Sequence, residues 1–192
     1  PAPAAIAPTP APAAIAPTPA PAAITPAPAP AAITPAPAIT TPAKSTLQIQ
    51  VKGLLQGAYN ASTGLMRDEL RAKNLLPTDQ PYTGIGYNGT EKASASVLAT
   101  TGNNAPVDWV TVELRDKKNP EIIISRQAAL LQRDGDVANA STNNDVLDFG
   151  NIPQGDYFIS LSHRNHLGVM TQTPVTVSAD KTISVDFTKS TT

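Results

Sequence analysis

The two histidines of the chain stand close together in the segment SHRNH, at His163 and His166. Imidazole nitrogens bind transition metals and exchange protons near neutral pH. Two metal ligands on one strand need a spacing of two, because neighbouring side chains point to opposite faces. A spacing of three brings the rings together only where Arg164 and Asn165 form a turn. The segment therefore favours a structural turn, with these side chains bonded to backbone, over a metal site.

Carboxylates are concentrated in the segment QRDGDVANASTNNDVLD. Calcium prefers oxygen-rich loops of this kind. The EF-hand pattern is absent, however, and no glutamate follows at the distance that would close a calcium loop. The segment therefore predicts a polar loop with Asp-Gly turn chemistry. We expect no cofactor, and calcium, the one ion left open, would bind through Asp134, Asp136, Asp145 and Asp148.

Recognisable catalytic motifs are missing from the sequence. It contains no nucleophile elbow, no HExxH segment and no phosphate-binding glycine loop before a helix. Asp108 and Glu113 fall on opposite faces of a predicted strand, which separates a would-be acid/base pair. We therefore expect a protein that is not an enzyme.

The composition divides the 192 residues at Lys44. Fourteen of the 20 prolines precede residue 43, and every charged side chain lies at Lys44 or later. The remaining 44–192, about 150 residues, are enough to bury a core. A net charge of -1 argues against nucleic-acid binding, and no apolar run reaches the roughly 20 residues of a membrane span. Without an initial Met, the chain has the features of a processed protein or a piece of a longer one.

Residues 1–43 repeat a nonapeptide: PAPAAIAPT twice, PAPAAITPA twice, then a shortened PAITTPA. Each proline fixes φ and removes an N–H, so helices and β-ladders are excluded. The tail is therefore expected to be an extended polyproline II chain, with three residues per turn. Because nine is a multiple of three, the isoleucines and four prolines fall on one edge. The residues of this Ile/Pro edge are Ile6, Ile15, Ile24, Ile33, Ile39, Pro3, Pro12, Pro21 and Pro30.

An extended tail of this length exceeds the size of its own domain. Forty-three residues of polyproline II reach about 130 Å, whereas a domain of about 150 residues is about 40 Å across. A stiff linker or a mucin-like stalk would explain the prolines. The phased isoleucines instead favour docking on other copies of the chain, and head-to-tail contacts that do not close build filaments.

Threonines next to the prolines are candidate acceptors for O-linked glycans, which would make the chain a glycoprotein. The alternative is that threonine is simply a small, soluble residue compatible with polyproline II. The candidate acceptors are Thr9, Thr18, Thr25, Thr34, Thr40 and Thr41.

After Lys44 the periodicity changes to two, which is typical of β-strands. In LQIQV, Leu47, Ile49 and Val51 alternate with polar residues. The segments VDWVTVELRD, EIIISRQAALLQ, VLDFG, GDYFISLSHR, PVTVS and TISVDF continue the series, the second of them with a bend or bulge. About eight strands separated by turn residues predict a mainly β fold, an antiparallel Ig-like or transthyretin-like β-sandwich.

Two local signals interrupt these strands. The segment ASTGLMRDELRAKNLLP predicts one short helix near residues 65–73, capped by Ser62 or Thr63 and closed by Pro77. The pair Asn88-Gly89 is the strongest two-residue hairpin signal. We therefore expect one short helix and one tight hairpin before the strand VDWVTVELRD.

Four segments resemble a domain that recurs in secreted and surface proteins of Bacteroidota-type bacteria, often labelled hemagglutinin-like or adhesin-like. They are LQGAYNASTGLM, VDWVTVELRD, AALLQRDGDV and GDYFISLSHRNHLGVMT, and the resemblance covers most of residues 47–188. It implies export, an extracellular or cell-surface location and a sandwich fold, but no biochemical activity. The tail lies outside this resemblance.

Two functions follow as hypotheses. In the first, the chain polymerises head to tail as the structural subunit of an extracellular filament or pilus-like fibre. A variant of it lets STLQIQV add a strand to a neighbour's sheet. In the second, the domain is a surface adhesin or carbohydrate-binding module on a rigid stalk. That function needs an exposed aromatic platform, and the candidates are Trp109, Tyr82, Tyr87 and Tyr157.

Overall fold

A computed structural model describes residues 46–178 and 181–189. The Ile/Pro edge and the candidate glycan acceptors of the tail lie outside these residues. In the described part, the fold is mainly β, as predicted, and the helices are short. None of them has the length and apolar character that crossing a membrane would require.

Eleven strands and two short helices make up the described part of the chain. The strands are β1 (Gln48–Lys52), β2 (Tyr59–Asn60), β3 (Leu65–Met66), β4 (Pro106–Asp116), β5 (Ile123–Gln132), β6 (Val137–Ala138), β7 (Leu147–Asp148), β8 (Gly155–His163), β9 (His166–Met170), β10 (Val175–Val177) and β11 (Ile183–Asp186). The helices are α1 (Glu69–Ala72) and α2 (Ala95–Leu98), and a 3₁₀ turn spans Thr83–Ile85.

The strands form three sheets. One has the order β11-β1-β7, one has the order β10-β8-β4-β5-β6 with β9 also paired to β8, and β2-β3 form the third. The pairing is antiparallel except between β1 and β11, which run parallel with Ile49 opposite Ile183. The prediction of a wholly antiparallel fold is therefore wrong for this pair. β1 pairs with strands of its own chain on both sides, β11 and β7.

One core joins the two larger sheets. Val110 and Val112 of β4 are buried in the same cluster as Leu47, Ile49 and Val51. The inward alternation predicted for LQIQV is thus confirmed. β4 and β5 pair along most of their length, with a register irregularity near Leu114/Arg115 that fits the predicted bulge. Two sheets sharing one core are consistent with a β-sandwich.

The opposite face of β4 is covered by the long connection between β3 and β4. Trp109 packs there with Leu130, Tyr82 and Val97. Its Nε1–H donates to the carbonyl oxygen of Pro77 at 2.8 Å, and the Tyr82 hydroxyl donates to the carbonyl oxygen of Trp109 at 2.6 Å. Both faces of β4 are therefore buried, and β4 is also the middle strand of its sheet.

We expect Trp109→Phe to lower the free energy of unfolding by about 2 kcal/mol. The Pro77 carbonyl would lose its donor, and the smaller ring would leave a cavity. Urea unfolding followed by circular dichroism measures this loss. The control is Tyr157→Phe, because the Tyr157 hydroxyl donates to an exposed carbonyl oxygen, that of Pro153, and its removal should change stability by less than about 0.5 kcal/mol. Equal losses would contradict the buried role of Trp109.

The helix expected near residues 65–73 is shorter than predicted. Its first residues belong to β3, and α1 begins only after Asp68, which occupies the N-cap position without a side-chain capping bond. Met66 is fully buried, and its N–H donates to the carbonyl oxygen of Arg133, just beyond β5, at 2.7 Å. This long-range pairing overrides local helix propensity. Ser62 and Thr63 therefore lie in the β2–β3 turn and cap no helix.

Two further local predictions fail between Pro77 and β4. Asn88-Gly89 does not join two strands, because it lies inside a loop that the isolated bridge Asp79–Lys92 closes. The Gln80 Nε2 donates to the Gly89 carbonyl oxygen at 2.9 Å and helps to fix that loop. A second helix, α2, follows, and Ser94 caps it by accepting the Val97 N–H at 3.3 Å. The prediction of a single helix is therefore wrong.

Candidate functional site

The turn between β8 and β9 brings the two histidines together. His163 of β8 and His166 of β9 lie opposite each other next to the turn, and Arg164 and Asn165 form the turn. The two Nδ1 atoms are 3.0 Å apart, and the rings meet edge to face with centroids 4.8 Å apart. The structure thus contains the turn that the spacing of three required.

A buried carboxylate anchors this turn. Asp108 of β4 lies 3.0 Å from the His163 Nε2 and 2.8 Å from two guanidinium nitrogens of Arg164. It also accepts the Trp109 N–H at 2.8 Å. Burial alone would raise the pKa of Asp108, but the hydrogen bonds from His163 and Trp109 and the charge of Arg164 outweigh it and hold that pKa below its usual value. We name Asp108, His163, Arg164 and His166 the Asp108 cluster.

The hydrogen bonds of the cluster assign the protons of both rings. The Asn165 N–H donates to the His163 Nδ1 at 3.1 Å, so this nitrogen carries a lone pair. The proton of the neutral His163 ring is then on Nε2, where it donates to Asp108. The His166 Nδ1 faces the same lone pair and must donate to it. This leaves the His166 Nε2 as an acceptor, beside Gly57.

A cavity of about 260 Å³ lies beside His166. Two charged side chains in its wall, Arg67 and Glu69, pair with each other at 3.6 Å, and Arg67 also donates to the Gly57 carbonyl oxygen at 2.8 Å. Among the residues that the structure describes, no three His, Asp or Glu side chains are placed to hold a metal ion. What the Asp108 cluster can do is fix the hairpin turn and share protons between its rings.

The four carboxylates considered for calcium do not converge. Each accepts a hydrogen bond within the protein, and the pairs are Asp134 with the Asp136 N–H, Asp136 with Lys52, Asp145 with Gln50 and Asp148 with the Gly150 N–H. The hydrogen bond to Asp136 raises the pKa of Lys52. Lys52 therefore places a positive charge beside Asp136, where a cation would have to bind this carboxylate.

The aromatic residues considered for sugar stacking are largely inside the domain. Trp109 and Tyr82 belong to the core. Tyr87 and Tyr157 are half-buried, and their hydroxyls donate to Glu91 and to the carbonyl oxygen of Pro153. These four residues therefore do not provide an exposed platform.

An open groove lined by both apolar and polar side chains separates β9 from β11. Within residues 46–178 and 181–189, β9 pairs only with β8 and β11 only with β1, so each is an edge strand. Two adjoining cavities between them, of about 400 and 560 Å³, share Val169 and Phe187 in their walls. We name them together the β9–β11 groove. Its other apolar lining residues are Leu54, Leu55, Val110, Leu131, Leu161, Leu167, Met170, Val175 and Val185.

The apolar side chains of β9 are open to solvent. Leu167 is 98% exposed, and Val169 and Met170 are 44% and 42% exposed. The lining of the groove includes one pair of opposite charges, Asp186 and Lys189, at 3.1 Å. Proteins rarely leave an uncharged apolar edge strand uncovered, because it invites pairing with another chain. The β9–β11 groove is therefore the strongest candidate for a binding surface in the described domain.

Sequence reasoning found the histidines but missed both Asp108 as their anchor and the groove. The one available signal for Asp108 was a charged residue at the head of a strand that is otherwise buried. For the groove, the signal was the run HLGVM, which places apolar residues on both faces of a strand. Comparison with protein-family models, with curated proteins and with solved structures found no match for this chain.

Proposed function

We propose that this chain is the structural subunit of an extracellular filament or pilus-like fibre, in which the tail of one copy docks in the β9–β11 groove of neighbouring copies. The observation that carries the proposal is the groove itself, which lies between two edge strands and exposes the apolar side chains of Leu167, Val169 and Met170. The domain is then an Ig-like or transthyretin-like sandwich, and its resemblance to Bacteroidota surface domains supports a location outside the cell.

The chemistry of the tail matches that of the groove. Residues 1–43 contain no charged side chain, and their nine-residue period would place the isoleucines on one edge of a polyproline II chain. Burying one isoleucine contributes about 1.5–3 kcal/mol, and the stiffness of polyproline II lowers the entropy lost on docking. Prolines cannot donate hydrogen bonds, but the carbonyl oxygens of the tail can accept them from the free N–H groups of an edge strand.

The length of the tail implies that it contacts more than one neighbouring copy. Nine residues of polyproline II rise about 28 Å, and the domain is about 40 Å across. One groove therefore holds one or two isoleucines, and the others must reach further copies. Contacts that run from the tail of one copy to the domain of the next do not close on themselves, so they generate a fibre.

The alternative function is a surface adhesin or carbohydrate-binding module on a free Pro-rich stalk. It predicts a monomer with an unbound tail and an exposed site for sugar stacking. The burial of Trp109 and Tyr82 weighs against such a site. The oligomeric state of the full chain distinguishes the two functions.

The test places the same charge on the Ile/Pro edge or one residue away from it. The edge variant carries Ile6→Asp, Ile15→Asp, Ile24→Asp and Ile33→Asp, and the control carries Ala5→Asp, Ala14→Asp, Ala23→Asp and Ala32→Asp. We expect fibres from the control and monomers from the edge variant, because only the edge enters the groove. Negative-stain microscopy and sedimentation velocity measure this. Fibres from both variants, or a monomeric unmodified chain, would contradict the proposal.

A further inference from the structure

We infer that His163 and His166 form a proton-operated latch that holds β9 against β8 at neutral pH and releases it in acid. The latch is a property of the described domain and does not require the tail. Its consequence concerns the β9–β11 groove, because β9 forms one wall of that groove.

β9 depends on the latch because it is held on one side only. Among the strands that the structure describes, it pairs with β8 alone, and all five of its residues are exposed. Beyond its last residue, Thr171 secures the chain to Ile159 with two hydrogen bonds of 3.0 and 3.2 Å. At the opposite end, the side chains that close the turn are His163 and His166. The turn end of β9 therefore loosens when these two rings separate.

Only one proton can lie between the Nδ1 atoms of His163 and His166. Two nitrogens 3.0 Å apart form a hydrogen bond only if one donates and the other accepts. The two rings have four nitrogens in total, so the contact survives with up to three protons and breaks with four. Full protonation also turns the His163 Nδ1 into a donor that faces the Asn165 N–H, so the bond that closes the turn is lost at the same step.

Charged and titratable groups surround the pair on every side. They are Asp108 and Tyr82 from the strand and loop that pack against the turn, Arg164 from the turn itself, and Arg67 and Glu69 from the wall of the adjacent cavity. Asp108 already forms an ion pair with Arg164. When both rings are positively charged, the cluster therefore has no further carboxylate to balance the added charge.

The order of protonation follows from the bonds. The His166 Nε2 can take up a proton with the contact intact, because the His166 Nδ1 remains a donor. A further proton on the His163 Nδ1 removes the lone pair that accepts both His166 and Asn165. The first step thus leaves the latch closed, and the second opens it. Leu167 and Val169 move with β9, so the groove loses a wall, and fibres would come apart in acid if the proposed function holds.

Amide hydrogen exchange of the full chain at about pH 7.5 and about pH 4.5, on either side of the ordinary histidine range, tests the latch. After correction for intrinsic exchange rates, we expect protection of β9 to fall about tenfold in acid, the equivalent of one lost hydrogen bond. Protection of β1 and β4 should not change, which shows that the domain stays folded. The ring nitrogen shifts at neutral pH should place the protons on the His163 Nε2 and the His166 Nδ1.

His166→Gln is the decisive variant, because its amide can donate to the neutral His163 Nδ1 and can rotate to accept from the protonated one. Only the Asn165 bond then responds to a proton on His163, so β9 of this variant should lose clearly less protection in acid than β9 of the unmodified chain. An equal acid-induced loss in the variant and the unmodified chain, no loss in the unmodified chain, or the opposite tautomers would each overturn the latch. None of these readouts depends on fibre formation, so the latch and the proposed function can fail separately.

Discussion

Asp108→Ala is expected to lower the free energy of unfolding by about 2–3 kcal/mol, because it leaves buried hydrogen-bond donors without an acceptor. The side chains of Asp108 and His163 are 7% and 5% exposed, so water cannot replace the carboxylate at His163, whereas the side chain of Arg164 is 31% exposed and can regain water. The substitution leaves the guanidinium of Arg164 without its anion and the Trp109 N–H without its acceptor. Urea unfolding, with the midpoint and the slope fitted separately, measures the loss.

The matched control is Asp136→Ala. Asp136 forms one ion pair with Lys52 at 2.9 Å, and both side chains are about a third exposed. Solvent screens such a pair, and we expect a loss below about 1 kcal/mol. Asp108→Asn should fall between the two, because its amide oxygen still accepts a hydrogen bond while its negative charge is gone. Equal losses for Asp108→Ala and Asp136→Ala would contradict the anchoring role of Asp108.

The stability that Asp108 supplies should also depend on pH in one direction. Its pKa in the folded chain lies below the ordinary aspartate value. Its contribution is therefore complete above the unfolded-state pKa of about 4 and disappears as the pH falls through the folded-state value. The unfolding curves of Asp108→Ala and the unmodified chain should converge in strong acid. The latch is a separate effect, because it concerns β9 and leaves the rest of the domain folded.

The sequence predicted strands well where burial follows a simple period. Leu47, Ile49 and Val51 alternate because one face of β1 meets the core, and this pattern needs no knowledge of the partner strand. Met66 shows the opposite case. Its neighbours have helical spacing, but a backbone bond to a distant carbonyl places it in β3. Local propensity is weak compared with such a tertiary contact.

The candidate site was harder to predict because its parts are distant in the chain. Asp108 and His163 are 55 residues apart, and only the pairing of β4 with β8 brings them together. The β9–β11 groove was hidden for another reason. Leu167 and Val169 suit a buried strand as well as an exposed one, and the difference arises from the sheet order, which leaves β9 at an edge. Periodicity shows which residues share a face, but it does not show what covers that face.

Leu167→Asp is expected to weaken assembly at least about thirtyfold, which corresponds to about 2 kcal/mol for one large aliphatic side chain that docking would bury. A carboxylate on the groove wall would also have to lose water when the tail binds, which adds to the loss. Leu167 is 98% exposed in the isolated domain, so the substitution should leave folding intact. The critical concentration for fibre formation, measured by pelleting, gives the effect.

The matched control is Ile85→Asp, which introduces the same charge at another exposed aliphatic residue. Ile85 is 65% exposed and lies in the 3₁₀ turn on the connection between β3 and β4, outside the lining of the groove. Its critical concentration should stay within about twofold of the unmodified chain, as for a neutral surface substitution. A similar effect from both variants would mean that added charge, and not the groove, opposes assembly.

Mixing two defective chains separates docking from any general loss of assembly. Leu167→Asp keeps an intact tail but has a damaged groove, whereas the Ile-to-Asp edge variant keeps an intact groove but has a damaged tail. Each alone should be monomeric. Together, the tail of the first should bind the groove of the second, and growth must stop there because the second chain has no working tail to extend the contact. Small complexes that never become fibres are therefore expected, by sedimentation velocity, and a mixture that remains monomeric would show that tail and groove are not partners.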